Sequence, residues 1–226
     1  MKLLFLFLIL FPAVIFAQNL QSKPANSFKK ITAILKIGTT GITPEISYRL
    51  NPRFNVRGSI SLLPYSKKEI VSFDQGTDKV QMQYNGKVLL GSAGVLIDYY
   101  PFKKIVAINA GLFYNFSSLD LALIPKSDIK FNDKIFPPDE TGTLNLKVNY
   151  NKIAPYFGLS FGNPNNKKTN FMLDVGALYT GSPIITMSGT GSIEPSALQA
   201  PKLQENLKPA YLYPVFRFGI SIVLTK

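Results

Sequence analysis

The sequence has 226 residues, of which 46% are hydrophobic, and a formal net charge of +12 at pH 7. It contains no cysteine and no histidine, which excludes disulfides and thiolate metal sites and removes both the usual general base and the commonest metal ligand. Its basic residues do not follow a helix or a glycine-rich loop, so nucleic acid is not predicted as a partner.

The N-terminal residues have the pattern of a secretory signal peptide. Lys2 precedes an apolar run from Leu3 to Phe11, and Ala17 ends the segment. We predict export with cleavage near Ala17. An uncleaved membrane anchor is the alternative, but the run is short and a polar segment follows at once. The predicted organisation is a signal peptide (1–17), an N-terminal periplasmic segment (18–29) and one barrel domain (30–226).

Beyond the signal, apolar and polar residues alternate with the two-residue period of β-strands. Near the C-terminus, Phe216, Phe218 and Ile220 share one face, whereas Arg217 and Gly219 share the other. No later apolar run could cross a bilayer as a helix, so membrane insertion would use strands. The predicted strands are 30–38, 42–50, 54–64, 87–99, 105–119, 143–161, 170–188 and 211–224.

The connections between these strands alternate in length. Three are short and rich in asparagine and proline, as tight turns require: 51–53, 101–104 and 163–168. The intervening ones are 39–41, 65–86, 125–142 and 189–210. Short periplasmic turns and longer external loops are typical of outer-membrane barrels. The predicted fold is therefore an all-β, eight-stranded, antiparallel, up-and-down transmembrane β-barrel with both termini in the periplasm.

Three local features refine this prediction. Alternation on both sides of 75–78 predicts a hairpin within the loop 65–86 that extends above the membrane. The stretch 196–208 has weak helical character that Pro201 limits. Aromatic residues cluster beside the short turns, which favours an interfacial girdle over sandwich-core packing. They are Tyr48, Phe54, Tyr99, Phe102, Phe161 and Phe171.

Four motifs in order give the chain a family resemblance. They are Lys36-x-Gly38-Thr39-x-Gly41, Asp98-x-x-Pro101-Phe102, Ala154-Pro155-Tyr156-x-Gly158 continuing to Gly162-Asn163, and Asp174-x-Gly176 followed by Gly181-x-Pro183. The chain resembles a largely uncharacterised family of small bacterial outer-membrane β-barrel proteins, OmpA-like in barrel size. The resemblance implies an outer-membrane location in Gram-negative bacteria and no catalytic or ligand residues. Two departures are the non-aromatic C-terminus, Val223 to Lys226, and the absence of tryptophan.

Eight charged residues inside the predicted strands are expected to point away from lipid into the barrel. An eight-stranded barrel is just wide enough for its own side chains, so this set predicts a polar plug of ion pairs rather than a gated conduit. No catalytic, cofactor-binding or metal-binding residue is predicted. The interior set is Lys36, Glu45, Arg49, Arg57, Asp98, Lys147, Asp174 and Arg217.

The leading functional hypothesis is a non-enzymatic integral outer-membrane protein that acts as a structural or interaction protein through its external loops. Expected partners are outer-membrane lipid, lipopolysaccharide phosphates and an envelope protein, and no cofactor is expected. Loop lysines would attract anionic groups, although they can equally be solubilising charge; they are Lys67, Lys68, Lys79, Lys126, Lys130 and Lys134.

The alternative is porin-like: a small pore, or a barrel that transports an apolar ligand entering laterally. Strand glycines would leave room for such a ligand, although glycine in barrels more often serves curvature and close packing; they are Gly91, Gly94, Gly111, Gly158 and Gly176. A soluble periplasmic ligand-binding barrel would need an apolar interior, which the charge pattern inverts.

Overall fold

A computed structural model describes residues 30–75, 78–102, 105–131, 134–165 and 168–225. The predicted signal peptide and the segment 18–29 lie outside the described residues. Within the described ranges, no helix is long and apolar enough to span a membrane.

The described chain is built almost entirely of β-strands. Two short α-helices, α1 (Pro138–Thr141) and α2 (Ala200–Leu207), and a 3₁₀ helix (Gly191–Gln199) lie in the connections. The strands are β1 (Ile31–Gly38), β2 (Gly41–Asn51), β3 (Phe54–Gln75), β4 (Asp78–Tyr99), β5 (Val106–Asn115), β6 (Ser118–Pro125), β7 (Ile129–Phe131), β8 (Lys134–Phe136), β9 (Leu144–Asn149), β10 (Ile153–Phe161), β11 (Thr169–Tyr179), β12 (Ile184–Gly189) and β13 (Leu212–Val223).

Eight of these strands close into an antiparallel barrel in the order β1-β2-β3-β4-β5-β10-β11-β13. The last strand returns to the first, with Thr32 opposite Val223 and Gly38 opposite Arg217. Because every barrel strand is paired on both sides, no edge is left open at membrane depth. The predicted eight-stranded antiparallel barrel is confirmed.

The exterior of the barrel carries an apolar band between two rows of aromatic rings. At the inner end, the Phe54 and Tyr99 rings lie 5.0 Å apart and Phe171 is 85% exposed. At the outer end, the Tyr179 and Tyr211 rings lie 5.9 Å apart. Phe171 and Tyr179 are eight residues apart on β11, roughly 21 Å along the barrel axis at a tilt of about 40°. This spacing is close to the apolar height of about 25 Å in transmembrane barrels.

The inner turns are closed by asparagine side chains. The Oδ1 atom of Asn51 accepts hydrogen bonds from the backbone N–H groups of Arg53 (2.8 Å) and Phe54 (3.0 Å). The Asn163 side chain accepts one from the N–H of Asn165 (3.0 Å). These contacts are the local reason that asparagine marks the short connections.

Beyond the barrel, the outer parts of β3 and β4 continue into a second sheet. β4 pairs there with β6, and β9 and β12 follow in the order β3-β4-β6-β9-β12. We refer to residues 63–75 of β3, residues 78–90 of β4, β6, β9 and β12 as the external sheet. The predicted hairpin in the loop 65–86 is confirmed, because β3 and β4 pair in unbroken register as far as Gln75 and Asp78.

Three predicted strands are each divided in two by this arrangement. The predictions 143–161 and 170–188 correspond to β9 with β10 and β11 with β12, whereas 105–119 covers β5 and only the first two residues of β6. In each case one part belongs to the barrel and the other to the external sheet. A single alternating pattern therefore concealed the points at which the chain leaves the barrel.

The external sheet is amphipathic. Cross-strand partners Met187, Leu146 and Leu121 share an apolar face, whereas Lys147 and Asp120 are paired on the other. The 3₁₀ helix and α2 pack against β12. There, the Gln204 side chain accepts from the N–H of Ile185 (2.8 Å) and donates to the carbonyl of Pro183 (2.6 Å). The predicted helical stretch 196–208 thus contains α2, and Pro201 lies in its first turn rather than ending it.

Candidate functional site: the barrel interior and the external sheet

The barrel interior contains a cluster of six charged side chains, each at most 2% exposed. Lys36 links two acids: its Nζ atom lies 2.7 Å from Oδ2 of Asp174 and 2.8 Å from Oε2 of Glu45. We refer to Lys36, Glu45, Arg57, Asp98, Asp174 and Arg217 as the central ion cluster.

The two arginines complete the cluster. Arg57 donates through Nη1 to Glu45 (2.8 Å) and Asp174 (3.1 Å), and through Nη2 to Asp98 (2.8 Å). Arg217 donates through Nη2 to Oδ2 of Asp174 (3.2 Å), and its Nη1 atom lies 3.5 Å from Oε1 of Glu45. Asp174 and Glu45 therefore each contact all three cations, and Asp174 lies closer to Arg217 than Glu45 does.

Each barrel strand contributes one residue to this network. The six charged residues come from β1, β2, β3, β4, β11 and β13. The remaining strands, β5 and β10, supply Asn109 and Ser160: Asn109 donates to the Ser160 hydroxyl, which donates to Asp174. The polar network therefore spans the barrel interior and links all eight barrel strands.

The central ion cluster is electrically neutral, with three cations and three anions. Burial of charge is tolerated only when opposite charges and hydrogen bonds compensate the lost hydration. The sequence prediction contained five bases and three acids. The structure places six of these eight residues in the cluster and leaves Arg49 and Lys147 outside it.

The prediction is wrong for Lys147, which is exposed on the polar face of the external sheet. Lys147 lies on β9, which belongs to the external sheet, and the chain enters the barrel only at β10. The alternation around Lys147 therefore describes the two faces of the external sheet and not those of the barrel wall. Arg49 is half-buried at the inner end of β2, where the register with β3 shifts, and its Nε atom donates to the carbonyl of Asn51 (3.4 Å). Exclusion of these two bases is what allows the buried charges to balance.

An apolar layer lies on the outer side of the ion cluster. It is formed by Leu96, Phe113, Ala154, Tyr156, Leu178 and Val215, with Tyr213 packed against it. The Phe113 and Tyr156 rings meet edge to face at 5.9 Å, and the Arg217 guanidinium lies 5.7 Å from the centre of the Tyr156 ring. This layer separates the ion cluster from the outer mouth.

Aromatic rings occupy the space above several interior glycines. A Cβ atom added to Gly158 or Gly176 would lie 2.5 Å from the Tyr156 hydroxyl oxygen. A Cβ on Gly94 would lie 2.7 Å from the Phe113 ring. These glycines therefore make room for the protein's own side chains, which is their packing role in barrels.

A cavity of about 160 Å³ lies at the outer mouth of the barrel. Thr40, Ser92, Asn115, Tyr150 and Thr180 line it from the strand ends and connections, and Leu178 joins it to the apolar layer. Among the residues that the structure describes, no charged side chain lines it. The sequence analysis missed this cavity because its residues are separated along the chain and meet only where strands leave the barrel.

The predicted external lysines lie at separate places. Lys67 and Lys68 are exposed on β3, and Lys126, Lys130 and Lys134 are exposed at or near the β7-β8 hairpin; the Lys79 side chain is outside the description. Lys87 joins Lys147 on the polar face, on either side of Asp120. Within the described ranges, no group of three or more acidic residues could hold a metal ion.

The closed barrel, its apolar exterior and its filled interior define the class: a small β-barrel of the outer-membrane type. Two solved structures are similar to it. One is CarO from Acinetobacter baumannii, with a TM-score of 0.58 and 20% identity over 86% of this chain and 97% of that one. The other is A. baumannii CarO2, with a TM-score of 0.57 and 18% identity over 88% of this chain and 100% of that one. At this identity, the likeness shows a shared fold. No protein-family model matches the chain, and no curated protein matches it.

Proposed function

We propose that the chain is a non-enzymatic, integral outer-membrane protein in which a closed barrel anchors an external interaction surface. The observation that supports this role is the central ion cluster, which together with Asn109 and Ser160 fills the cross-section from all eight barrel strands. An eight-stranded barrel has little space beyond its own side chains. The barrel therefore acts as a rigid, filled support, and the parts that can meet a partner are outside the membrane.

The polar face of the external sheet suits anionic groups of the cell envelope. Lys68, Lys87 and Lys147 are exposed there, and Asp120 is the acid between the last two. Clustered lysines attract phosphate through long-range electrostatics that weaken with salt. The phosphates of lipopolysaccharide are the nearest such groups in an outer membrane, so we assign this face to them.

Binding of lipopolysaccharide to the refolded protein in detergent tests this assignment. A Lys68→Gln, Lys87→Gln, Lys147→Gln variant should bind at least several-fold more weakly at low salt, whereas Lys208→Gln, a single exposed lysine near α2, serves as the control. Equal binding by both variants, or binding insensitive to salt, would refute the assignment of this face to lipopolysaccharide.

Pull-down from gently solubilised outer membranes tests whether the barrel has a protein partner in the envelope. Recovery of the barrel alone under several conditions counts against a stable protein partner.

A second candidate function, handling of a small neutral ligand, is favoured by the cavity at the outer mouth. A cavity of this size matches a ligand about as large as benzene. Liposome uptake of small neutral solutes is the measurement: faster uptake through the wild type than through Ser92→Phe, which adds a ring at a buried position of the cavity lining, supports transport. Equal rates for the wild type and empty liposomes exclude it.

A further inference from the structure

The outer part of β3 has a free edge. β2 makes its last pairing with β3 at Leu62, and from Leu63 to Gln75 the described strands pair with β3 only through β4. The N–H of Tyr100 donates to the carbonyl of Arg53 (2.7 Å). This bond marks Arg53 as a hydrogen-bonded position, and because the register is unbroken, the odd-numbered residues of β3 form the backbone hydrogen bonds to β4. The even-numbered residues of β3 direct their N–H and C=O groups away from β4. The edge therefore offers a row of strand-pairing groups.

We propose that this edge pairs with the same edge of a second copy of the chain, antiparallel and with Lys68 opposite Lys68. In this register, Leu63 faces Phe73 and Tyr65 faces Val71, and each pair occurs twice. Lys67 faces Glu69, also twice. Apolar and oppositely charged cross-strand pairs each stabilise antiparallel strands by about 0.2–1 kcal/mol. The segment is thus complementary to itself.

The neighbouring registers lack this complementarity. Centring the pair on Lys67 places that lysine opposite itself, and centring it on Glu69 places two carboxylates together. The register centred on Lys68 also places two lysines opposite each other, but of the three it alone adds two opposite-charge pairs, each between Lys67 and Glu69. Within one copy, Lys67 already contacts Glu69, and the Tyr84 hydroxyl donates to the Glu69 carboxylate (2.7 Å), so the charges are positioned on the correct face.

Two features of the edge limit its pairing to this partner. Lysines on an edge strand ordinarily discourage indiscriminate pairing, and in this register each Lys67 gains the Glu69 carboxylate of the facing strand in addition to its own. Pro64, which has no N–H group, lies opposite Ser72 near the end of the ladder and so removes only one bond at each end. About eight backbone hydrogen bonds would join the two copies.

The antiparallel direction determines where the second copy sits. β3 rises from the membrane, so its partner must descend from a facing membrane. The overlap from Leu63 to Phe73 is ten residue steps, roughly 34 Å along the strand and about 26 Å between the two surfaces at a barrel-like tilt. The inference, which rests on the proposed role of the external sheet in interaction, is that the protein joins two membranes by pairing with itself.

The absence of native cysteine makes a cross-linking test direct. The full-length mature protein carrying Lys68→Cys is reconstituted into two populations of phosphatidylcholine vesicles with different affinity tags, which are mixed and oxidised. Disulfide dimers containing both tags are expected. Ser72→Cys, on the same exposed edge, is the matched control: in this register its two copies lie roughly 27 Å apart, too far for a disulfide.

Charge exchange tests the register separately. On the Lys68→Cys background, Glu69→Lys should lower the yield of two-tag dimers at least tenfold, and the exchange Lys67→Glu, Glu69→Lys should restore it between exchanged copies but not against unexchanged ones. Equal dimer yields from Lys68→Cys and Ser72→Cys, dimers only within one vesicle population, or no two-tag dimers would each overturn the inference. Lipopolysaccharide binding that persists in that event would leave the proposed function standing.

Discussion

Asp174→Asn is the most informative single change in the barrel interior. The Asp174 carboxylate contacts Lys36, Arg57 and Arg217 at 2.7–3.2 Å, and the substitution keeps its size while removing its charge. Three buried cations would then face two buried anions. Removing one partner of a buried ion pair costs about 3–5 kcal/mol because an uncompensated charge remains. We expect a loss of that order in the free energy of unfolding.

Urea unfolding of the refolded protein in lipid or detergent measures this loss, with the heat-dependent shift in gel mobility separating folded from unfolded chains. Asp120→Asn, half-buried on the polar face of the external sheet, is the matched control and should change stability by less than about 0.5 kcal/mol. Asp174→Asn with Lys36→Met restores charge balance and should recover part of the loss. A loss below about 1 kcal/mol, or no recovery in the double variant, would show that Asp174 does not balance the buried cations.

Two further predictions concern packing and protonation. Gly176→Ala would place a Cβ atom 2.5 Å from the Tyr156 hydroxyl and 2.6 Å from the carbonyl oxygen of Phe157, so it should destabilise the barrel by about 1–3 kcal/mol. Gly58→Ala, with open space around it, is the control and should be neutral. Equal unfolding curves for the two variants would contradict this prediction. The hydrogen bond from Lys67, with one from Tyr84, lowers the pKa of Glu69 from its usual value. These contacts therefore persist above the ordinary carboxyl pKa and are lost as the pH falls through the lowered pKa of Glu69. An NMR titration in which Lys67→Ala leaves the pKa of Glu69 unchanged would contradict this prediction.

The barrel itself follows from the sequence because its two faces meet different media. Lipid requires apolar residues on every second position, and the enclosed interior accepts charge only as ion pairs, so alternation alone identified Lys36, Glu45, Arg57 and Asp174. The asparagine turns then separated the inner end from the outer end. These are local signals, and each is visible within a few residues of sequence.

The external sheet is harder to predict from the sequence because apolar and polar residues alternate along its strands just as they do along the barrel strands. The predicted strand 105–119 runs past the end of β5 into the first two residues of β6, and only the tertiary pairing shows that β6 joins the outer part of β4. Lys147 was assigned to the interior for the same reason. The apolar layer around Tyr156 depends on glycines from neighbouring strands, a relationship between chain segments that no single stretch of sequence displays.

Conductance across planar lipid bilayers tests most directly whether the interior is closed. The inserted wild-type protein should give no stable single-channel steps, because the central ion cluster and the apolar layer fill the barrel. Stable steps that diminish when Arg57 or Arg217 is replaced by glutamine would contradict it, since they would show that ions pass along these side chains.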